Sequence, residues 1–323
     1  LARLEKHPAD ARWLAAYDRY SAVLQDDAFP ITFLSAVHPD KAIRAASEAC
    51  ELRWNDFFSS LGQNPKLYAA VQRVKPADAI AAEMRKSQIE SPEDAGVGLP
   101  PAQRAQAKAL NDRIAELGQS FDRNIRDANV KVPATEAELA GVPPNVWKSA
   151  KRDAEGRLLL GVDYPTYGPV MQTGDSAALR ERMWRAKLNE GGEANLKLLA
   201  EIVKRRQDYA TLFGAERWDA FVLRRRMALT PQRALAFLDE VKTAVSARER
   251  TELEELRLAK AEHLKQPVES ARLDRWDVGY YQERVRQARY KVDQEAFRAY
   301  FPPQESLQFS LRDQSFAGRN DQN

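Results

Sequence analysis

Apolar residues recur along this chain in steps of three and four. Between Ala11 and Asp26 they fall at Trp13, Leu14, Tyr17, Tyr20 and Leu24 and leave Arg12, Asp18 and Arg19 to water, the spacing of an amphipathic helix. Pro30 is expected to break that helix. After Ile31 to Val37, the segment His38-Pro39-Asp40 predicts a capping turn for a second helix running from Lys41 to about Leu61. Pro76, Pro92, Gly96 and Gly98 then mark a helix followed by a looped connection. From Ala102 to about Asn129, Leu110, Ile114, Leu117, Phe121 and Ile125 step by four, three, four and four, with Gly118 as the one glycine of the stretch. Such a stripe requires another helix or a sheet against it.

Val130 to Thr173 breaks the pattern with prolines at 133, 143, 144, 165 and 169 and a turn at Gly156, and here the run Leu158-Leu159-Leu160-Gly161-Val162 predicts a short strand. A β element around 157–163 is all the β content expected. Helical spacing returns after Ser176, with Leu196, Leu199, Ile202, Val203, Tyr209 and Leu212 assigned to one face. Thr230-Pro231 reads as an N-cap followed by proline at the first helical position. Ala247 to Leu264, where Glu252, Glu255 and Lys260 surround Leu253, Leu256 and Ala259, reads as a solvated helix face. The fold class is therefore all-α, helical over residues 1–307.

Composition supports this reading and narrows the function classes. The 323 residues allow one large domain or two, and 44% apolar with 30% charged residues is the balance of a globular protein. Only 14 glycines occur, and good helix formers dominate. Lys and Arg number 50 against 47 Asp and Glu, mixed along the chain, so no nucleic-acid partner is implied. Cys50 stands alone, which rules out an intrachain disulfide and a thiolate zinc cage. No apolar run approaches the ~20 residues of a membrane-spanning helix, so no membrane partner is expected. A reducing, cytoplasmic compartment fits best, with the periplasm as the alternative. Leu1 to Trp13 is charged and unlike a signal peptide, while the absence of an initial Met leaves room for a removed leader.

A hydrolytic zinc site needs imidazoles and a carboxylate converging on one ion. The histidines are His7, His38 and His263, none within a helical turn of another, and His263 has Lys260 and Ala259 at three and four positions back. Surface or capping roles are expected for them. There is no Gly-x-Ser-x-Gly elbow, and Cys50 lies midway along a predicted helix, where a small buried residue is expected. Gly96-Val97-Gly98 lacks the third glycine of a dinucleotide fingerprint and the lysine of a phosphate loop. Glu254 and Glu255, like the clusters Arg224-Arg225-Arg226 and Lys204-Arg205-Arg206, read as solvated faces or intramolecular ion pairs. The aromatics Tyr164, Tyr167, Trp276, Tyr280 and Tyr281 are the candidate site residues, as the lining of a peptide groove. Packed core with hydrogen-bonded polar tips is the alternative of at least equal weight.

Several segments, in order, resemble the thimet-oligopeptidase family of zinc metallopeptidases. They begin with Phe33-Leu34-Ser35, His38-Pro39-Asp40-Lys41-Ala42-Ile43-Arg44 and Leu117-Gly118-Gln119-Ser120-Phe121-Asp122, and continue through Glu138-Leu139-Ala140-Gly141-Val142-Pro143 and Asp163-Tyr164-Pro165-Thr166-Tyr167. Arg180 to Arg185, Leu212-Phe213-Gly214 and Met227-Ala228 follow. Trp276-Asp277-Val278-Gly279-Tyr280-Tyr281, Arg289-Tyr290-Lys291-Val292-Asp293 and Tyr300-Phe301-Pro302 complete the series, so the likeness runs from about Asp26 to about Leu307. It implies a neurolysin-like helical half, one wall of a channel that admits short unstructured peptides.

Complete members of the family bear zinc on a helix with His-Glu-x-x-His, whose Glu is the general base. That motif is not in this sequence, and no catalytic or metal residue is carried over. The resemblance therefore implies the front portion of an oligopeptidase, with no zinc of its own and inactive unless the missing catalytic region or another chain joins it. A non-catalytic peptide- or protein-binding helical module is the alternative. Residues 308–323, polar and divergent, are expected to form a disordered tail, as at a truncated or frame-shifted end.

Overall fold

Caps and prolines carried in the chain decide where its helices begin. The computed structural model describes residues 1, 4–5, 11–291, 300–302, 304–305 and 307–308. Contacts group the chain into two compact units, one of residues 1–129 and 189–242, the other of residues 130–188 and 243–323. The portion read over 1–307 contributes to both. His7 and, apart from Gln308, the 308–323 tail lie outside the described residues.

In the first unit, α1 (Ala11–Val37) and α2 (Lys41–Gly62) pack along each other. Asp40 caps α2 as expected: its Oδ1 accepts the Ala42 amide at 2.7 Å, and the Asp40 amide in turn donates to His38 Nδ1 at 3.0 Å. The expected break at Pro30 does not occur, and α1 runs through it to Val37. A proline costs an interior helix one backbone hydrogen bond. Here the next turn is held from outside, because the carbonyl of Ile31 accepts the hydroxyl of Ser47, a buried residue of α2. Asn64 caps α3 (Pro65–Arg73), with Oδ1 accepting the Lys66 amide at 2.9 Å, and Asp78 caps α4 (Ala79–Asp94) through the Ala81 amide at 2.7 Å. Trp13 and Leu14 of α1 form a core with Leu67, Ala70, Val71 and Val74.

The partner required by the stripe of α5 (Pro101–Asp127) is α9 (Gly192–Leu212). Ala107 and Leu110 meet Tyr209, Ala210 and Phe221, the last from the short helix α10 (Trp218–Leu223). Asn195 is buried here and satisfied, donating to the Phe121 carbonyl at 3.0 Å and accepting from Asn124 at 2.8 Å. The expected face of α9 is only partly used. Ile202 and Tyr209 are buried, but Leu196, Leu199 and Val203 are 61%, 44% and 57% exposed. Burial follows Asn195, Ile202 and Tyr209 at seven-residue steps, an arc narrower than the apolar stripe.

In the second unit, β1 (Lys131–Ala134) and β2 (Leu158–Gly161) pair antiparallel, Lys131 opposite Gly161 and Ala134 opposite Leu158. β2 is the expected strand. β1 lies outside the expected β content, because four residues interrupted by Pro133 carry no legible strand pattern. Val132, Ala134, Leu158 and Leu160 point to a core completed by Val170 of α7 (Tyr164–Thr173) and by Leu179 and Met183 of α8 (Ala177–Leu188). The single turn α6 (Pro144–Trp147) packs on α7. Helix α11 (Pro231–Leu264) starts as expected, with Thr230 Oγ1 accepting the Arg233 amide at 3.2 Å. Its residues through Lys242 belong to the first unit and those from Thr243 to the second. Last comes α12 (Arg275–Tyr290), which packs on α7 and α8.

Two glycines make a contrasting pair. Gly141 has φ +82°, and a Cβ there would sit 2.2 Å from the Thr173 carbonyl oxygen, so the turn requires it. Gly118, mid-way along α5, has no heavy atom within 4 Å of a built Cβ. Gly118→Ala is therefore expected to raise stability by about 0.5–1 kcal/mol. Gly141→Ala is expected to lower it by more than about 1 kcal/mol. Urea unfolding of the two variants beside the parent measures both, and a stabilised Gly141→Ala would refute the packing described.

Candidate functional site

At the start of α12 the chain buries a charge. Asp277 has no solvent exposure, and its carboxylate meets three donors: Arg180 Nη2 at 2.8 Å, Lys260 Nζ at 2.5 Å and the Asp274 amide at 3.1 Å. An acidic residue in a first helical turn is favoured by the helix dipole. Arg180, 2% exposed on α8, spends its remaining donors on the carbonyls of Trp276 at 3.1 Å and Gly174 at 2.6 Å. Its guanidinium lies 4.1 Å over the Tyr280 ring. Lys260 reaches from α11 and also donates to the Arg272 carbonyl at 2.7 Å. Beside them the Tyr280 hydroxyl donates to Asp175 Oδ1 at 2.7 Å and receives Arg284 Nη1 at 3.2 Å.

Each ionisable group here is tuned by burial and by its neighbours. Burial pushes the Asp277 carboxyl up, but the hydrogen bonds from Lys260 and Arg180 outweigh it and hold the group below the usual carboxylate range. Burial, with the Asp277 charge, pushes Tyr281 up to about 12. Tyr280 is raised by burial and by its bond to Asp175. Burial, then the Arg284 charge, lowers His263, whose Nδ1 lies 3.2 Å from the Tyr281 hydroxyl. Chemically this is a closed network in which the buried donors and acceptors are matched. It fastens α8, α11 and α12 together.

The candidate aromatics separate into two kinds. Tyr164, at the start of α7, is 76% exposed with the Lys187 ammonium 4.7 Å over its ring. Tyr167 and Trp276 are half-buried against the strand core; Trp276 lies 5.7 Å from Trp184, with the Arg185 guanidinium 5.7 Å over its ring. Tyr280 and Tyr281 are each 2% exposed and pack edge to face at 5.1 Å. Those two are core residues, with both hydroxyls engaged. Tyr164, Tyr167 and Trp276 are the ones that present ring surface toward solvent.

Neither of the described histidines, nor Cys50, fits a zinc ion. His38 Nδ1 accepts a backbone amide at the α2 cap, and His263 sits among Arg284, Arg180 and Tyr281, where positive charge opposes a cation. Cys50 is half-buried, not buried. Among the described residues no three His, Cys, Asp or Glu side chains group to hold a metal. The basic clusters are ion-paired: Arg225 meets Glu93 at 2.6 Å and Asp94 at 2.9 Å, Arg224 pairs with Asp94, and Lys204 meets Asp208 at 3.4 Å. No helix among the described residues is long and apolar enough to cross a membrane.

Residues 170–317 match Peptidase family M3, a stretch that includes Arg180, Lys260 and Asp277. Oligopeptidase A of Escherichia coli (strain K12) is 32% identical over 300 residues, 86% of this chain and 43% of the relative. Oligopeptidase A of Haemophilus influenzae is 30% identical over 294 residues, 84% of this chain and 43% of the relative. Saccharolysin of Saccharomyces cerevisiae is 27% identical over 288 residues, 84% and 40% respectively. The chain thus spans less than half the length of these curated relatives.

The Arg180–Asp277–Lys260 network escaped the sequence reading because its members lie far apart in the chain. The local signal was Asp274 three residues before Asp277, the spacing of a capping box. Asp277→Ala leaves the buried Arg180 and the partly buried Lys260 without their anion and is expected to cost about 3–5 kcal/mol, read by urea unfolding. The depressed Asp277 pKa adds a pH dependence. Its stabilisation is fully present above the unfolded value near 3.8 and is lost as pH falls below that toward the folded value. An acid titration of stability is expected to lose that component in Asp277→Asn, and identical profiles for parent and variant would refute the assignment.

Proposed function

We propose that this chain, which is related to the thimet-oligopeptidase (M3) family of metallopeptidases, forms a helical wall of the channel of a zinc-dependent oligopeptidase that acts on short peptides. By itself it does not cut them. The zinc and the general base expected of complete family members would enter with a portion bearing His-Glu-x-x-His, and the assembled enzyme would work in the cytoplasm. Tyr164, Tyr167 and Trp276 are the residues of this wall proposed to contact peptide.

One observation carries the reading. On the part of α11 that belongs to the first unit, Leu235, Phe237, Leu238 and Val241 are 61%, 62%, 59% and 43% exposed. Val241 lies four residues after Phe237 and three after Leu238, the step of a packing seam. A helix bare on all sides gains little stability in water, where tertiary burial of an apolar face does most of the work. Burying each such side chain is worth about 1.5–3 kcal/mol. The seam therefore has the form of an interface, and relatives more than twice as long have the additional chain to cover it.

A second reading, peptide binding without cleavage, is favoured by the exposed ring of Tyr164 and the half-buried rings of Tyr167 and Trp276, amphipathic surfaces of the kind that contact peptide. Zinc analysis and cleavage of a quenched fluorescent peptide, with and without chelator, separate these cases. The chain alone is expected to hold no zinc and to cleave nothing. Chelator-sensitive cleavage with about one zinc per chain would overturn the proposal, and saturable peptide binding without cleavage would favour the second reading. Hydrogen exchange in residues 235–241 should be fast in the isolated chain and slow after mixing with the remaining portion of the Escherichia coli oligopeptidase A; slow exchange in the isolated chain would mean that the seam is already covered.

A further inference from the structure

The first unit holds a concavity that the peptidase reading leaves unused. Helices α1, α2 and α5 wall a cleft of about 740 Å³, and an adjoining hollow of about 680 Å³ shares Phe29, Thr32, Glu51 and Asn55 with it. The two form one groove. Its apolar wall consists of two stacked ring pairs, Phe29 on Phe33 at 5.8 Å and Trp54 on Phe58 at 5.5 Å. Phe29 is 67% and Phe33 52% exposed. Aromatic faces gathered in a concavity and left open to water form the kind of surface that binds ligands.

Within these two hollows the charge is one-sided, and the cations Lys41, Arg44 and Arg123 line a separate hollow beyond Glu48 and Arg126. Among the lining residues the cation is Arg126, and its guanidinium is neutralised by Glu48 at 2.6 Å and Asp127 at 3.1 Å, with a further bond to the Ser35 carbonyl at 2.8 Å. The second oxygen of Glu48 is taken by Arg123 at 2.8 Å. Glu51 receives only the neutral amide of Gln119 at 3.1 Å, and Asp26 and Asp122 make no ion pair among the described residues. Three uncompensated carboxylates beside exposed rings attract a cation and repel phosphate.

Gly118 supplies an independent observation. It lies in the cleft lining, inside α5, with nothing within 4 Å of a built Cβ. The surrounding packing does not require a glycine there, and a helix interior disfavours one relative to alanine. Its effect is to leave a strip of bare backbone in the groove, which permits close approach by a bound chain.

We propose that this groove docks a short polypeptide segment in which Arg or Lys adjoins an apolar or aromatic residue. The cation sits over the rings and against Glu51 and Asp122, and the apolar side chain lies over Gly118. Two adjoining hollows, with separate charged and apolar seats, suit a peptide better than a single amine.

The test is fluorescence anisotropy of a labelled Arg-Phe-Arg-Leu-Lys-Phe peptide on the full chain, beside a counterpart with Glu at every basic position. Saturable binding in the micromolar range is expected for the basic peptide, weakening as salt rises. Glu51→Gln combined with Asp122→Asn should weaken it by ~10-fold or more, as should Gly118→Leu, with helicity and melting checked by circular dichroism. Equal binding of the acidic peptide, no saturation below millimolar, or undiminished affinity in a folded Gly118→Leu variant would overturn the proposal. So would a concentration-dependent dimer that Gly118→Leu abolishes while the peptide fails to bind, since a second copy would then be the occupant. The measurement needs neither zinc nor cleavage, so its outcome is separate from that of the peptidase reading.

Discussion

A carboxylate sealed from water keeps its charge only where cations and amides replace its hydration, and the second unit is organised around one such group. Asp277 draws Arg180 from α8 and Lys260 from α11, and those two cations also tie down the carbonyls of Gly174, Trp276 and Arg272. Hydrophobic packing of the strand pair against α7 and α8 buries the area. The ion network decides how the helices register, because a slipped helix would leave a buried charge without its partner. The stacking of Arg180 on Tyr280, and the Tyr280 bond to Asp175, extend the same fastening into the aromatic core.

The first unit follows a different economy. Its helices meet along Trp13, Leu67 and Val71 in one cluster and along Ala107, Leu110 and Tyr209 in another, with buried polar groups such as Asn195 and Ser47 answered by backbone carbonyls. These cores use only part of the apolar surface that the helices carry. Leu196, Leu199 and Val203 on α9, the seam on α11 and the ring pairs Phe29–Phe33 and Trp54–Phe58 stay open to solvent. These exposed apolar side chains are the feature on which the proposed joint and the proposed groove rest. Under the proposed function the α11 seam would be a joint with further chain, and under the groove proposal the acidic lining would meet an occupant of the opposite charge.

Much of this was legible in the chain before folding was considered. Asp40, Thr230 with Pro231, and the stripe of α5 each announce a helix through local chemistry, since a cap or a three-and-four spacing depends only on near neighbours. The ordered motifs from Phe33 to Pro302 carried the family resemblance. Composition with few glycines and many strong helix formers set the fold class. What local chemistry could not report was the outcome at Pro30, where a hydroxyl from another helix holds the next turn, or the existence of β1, whose pairing belongs to β2 as much as to itself.

The candidate site divides along the same line. That Tyr164, Tyr167, Trp276, Tyr280 and Tyr281 are amphipathic rings follows from their chemistry, but which of them face water depends on helices far away in the chain. Arg180 and Asp277, 97 residues apart, become one ion pair only when α8 and α12 pack. By itself, then, the sequence determined the helical class and the capped helix starts, because those rest on interactions within a few residues, and its ordered motifs carried the family resemblance. Tertiary structure alone decided which apolar faces were buried and which charges met, because burial and ion pairing are properties of surfaces brought together from distant parts of the chain.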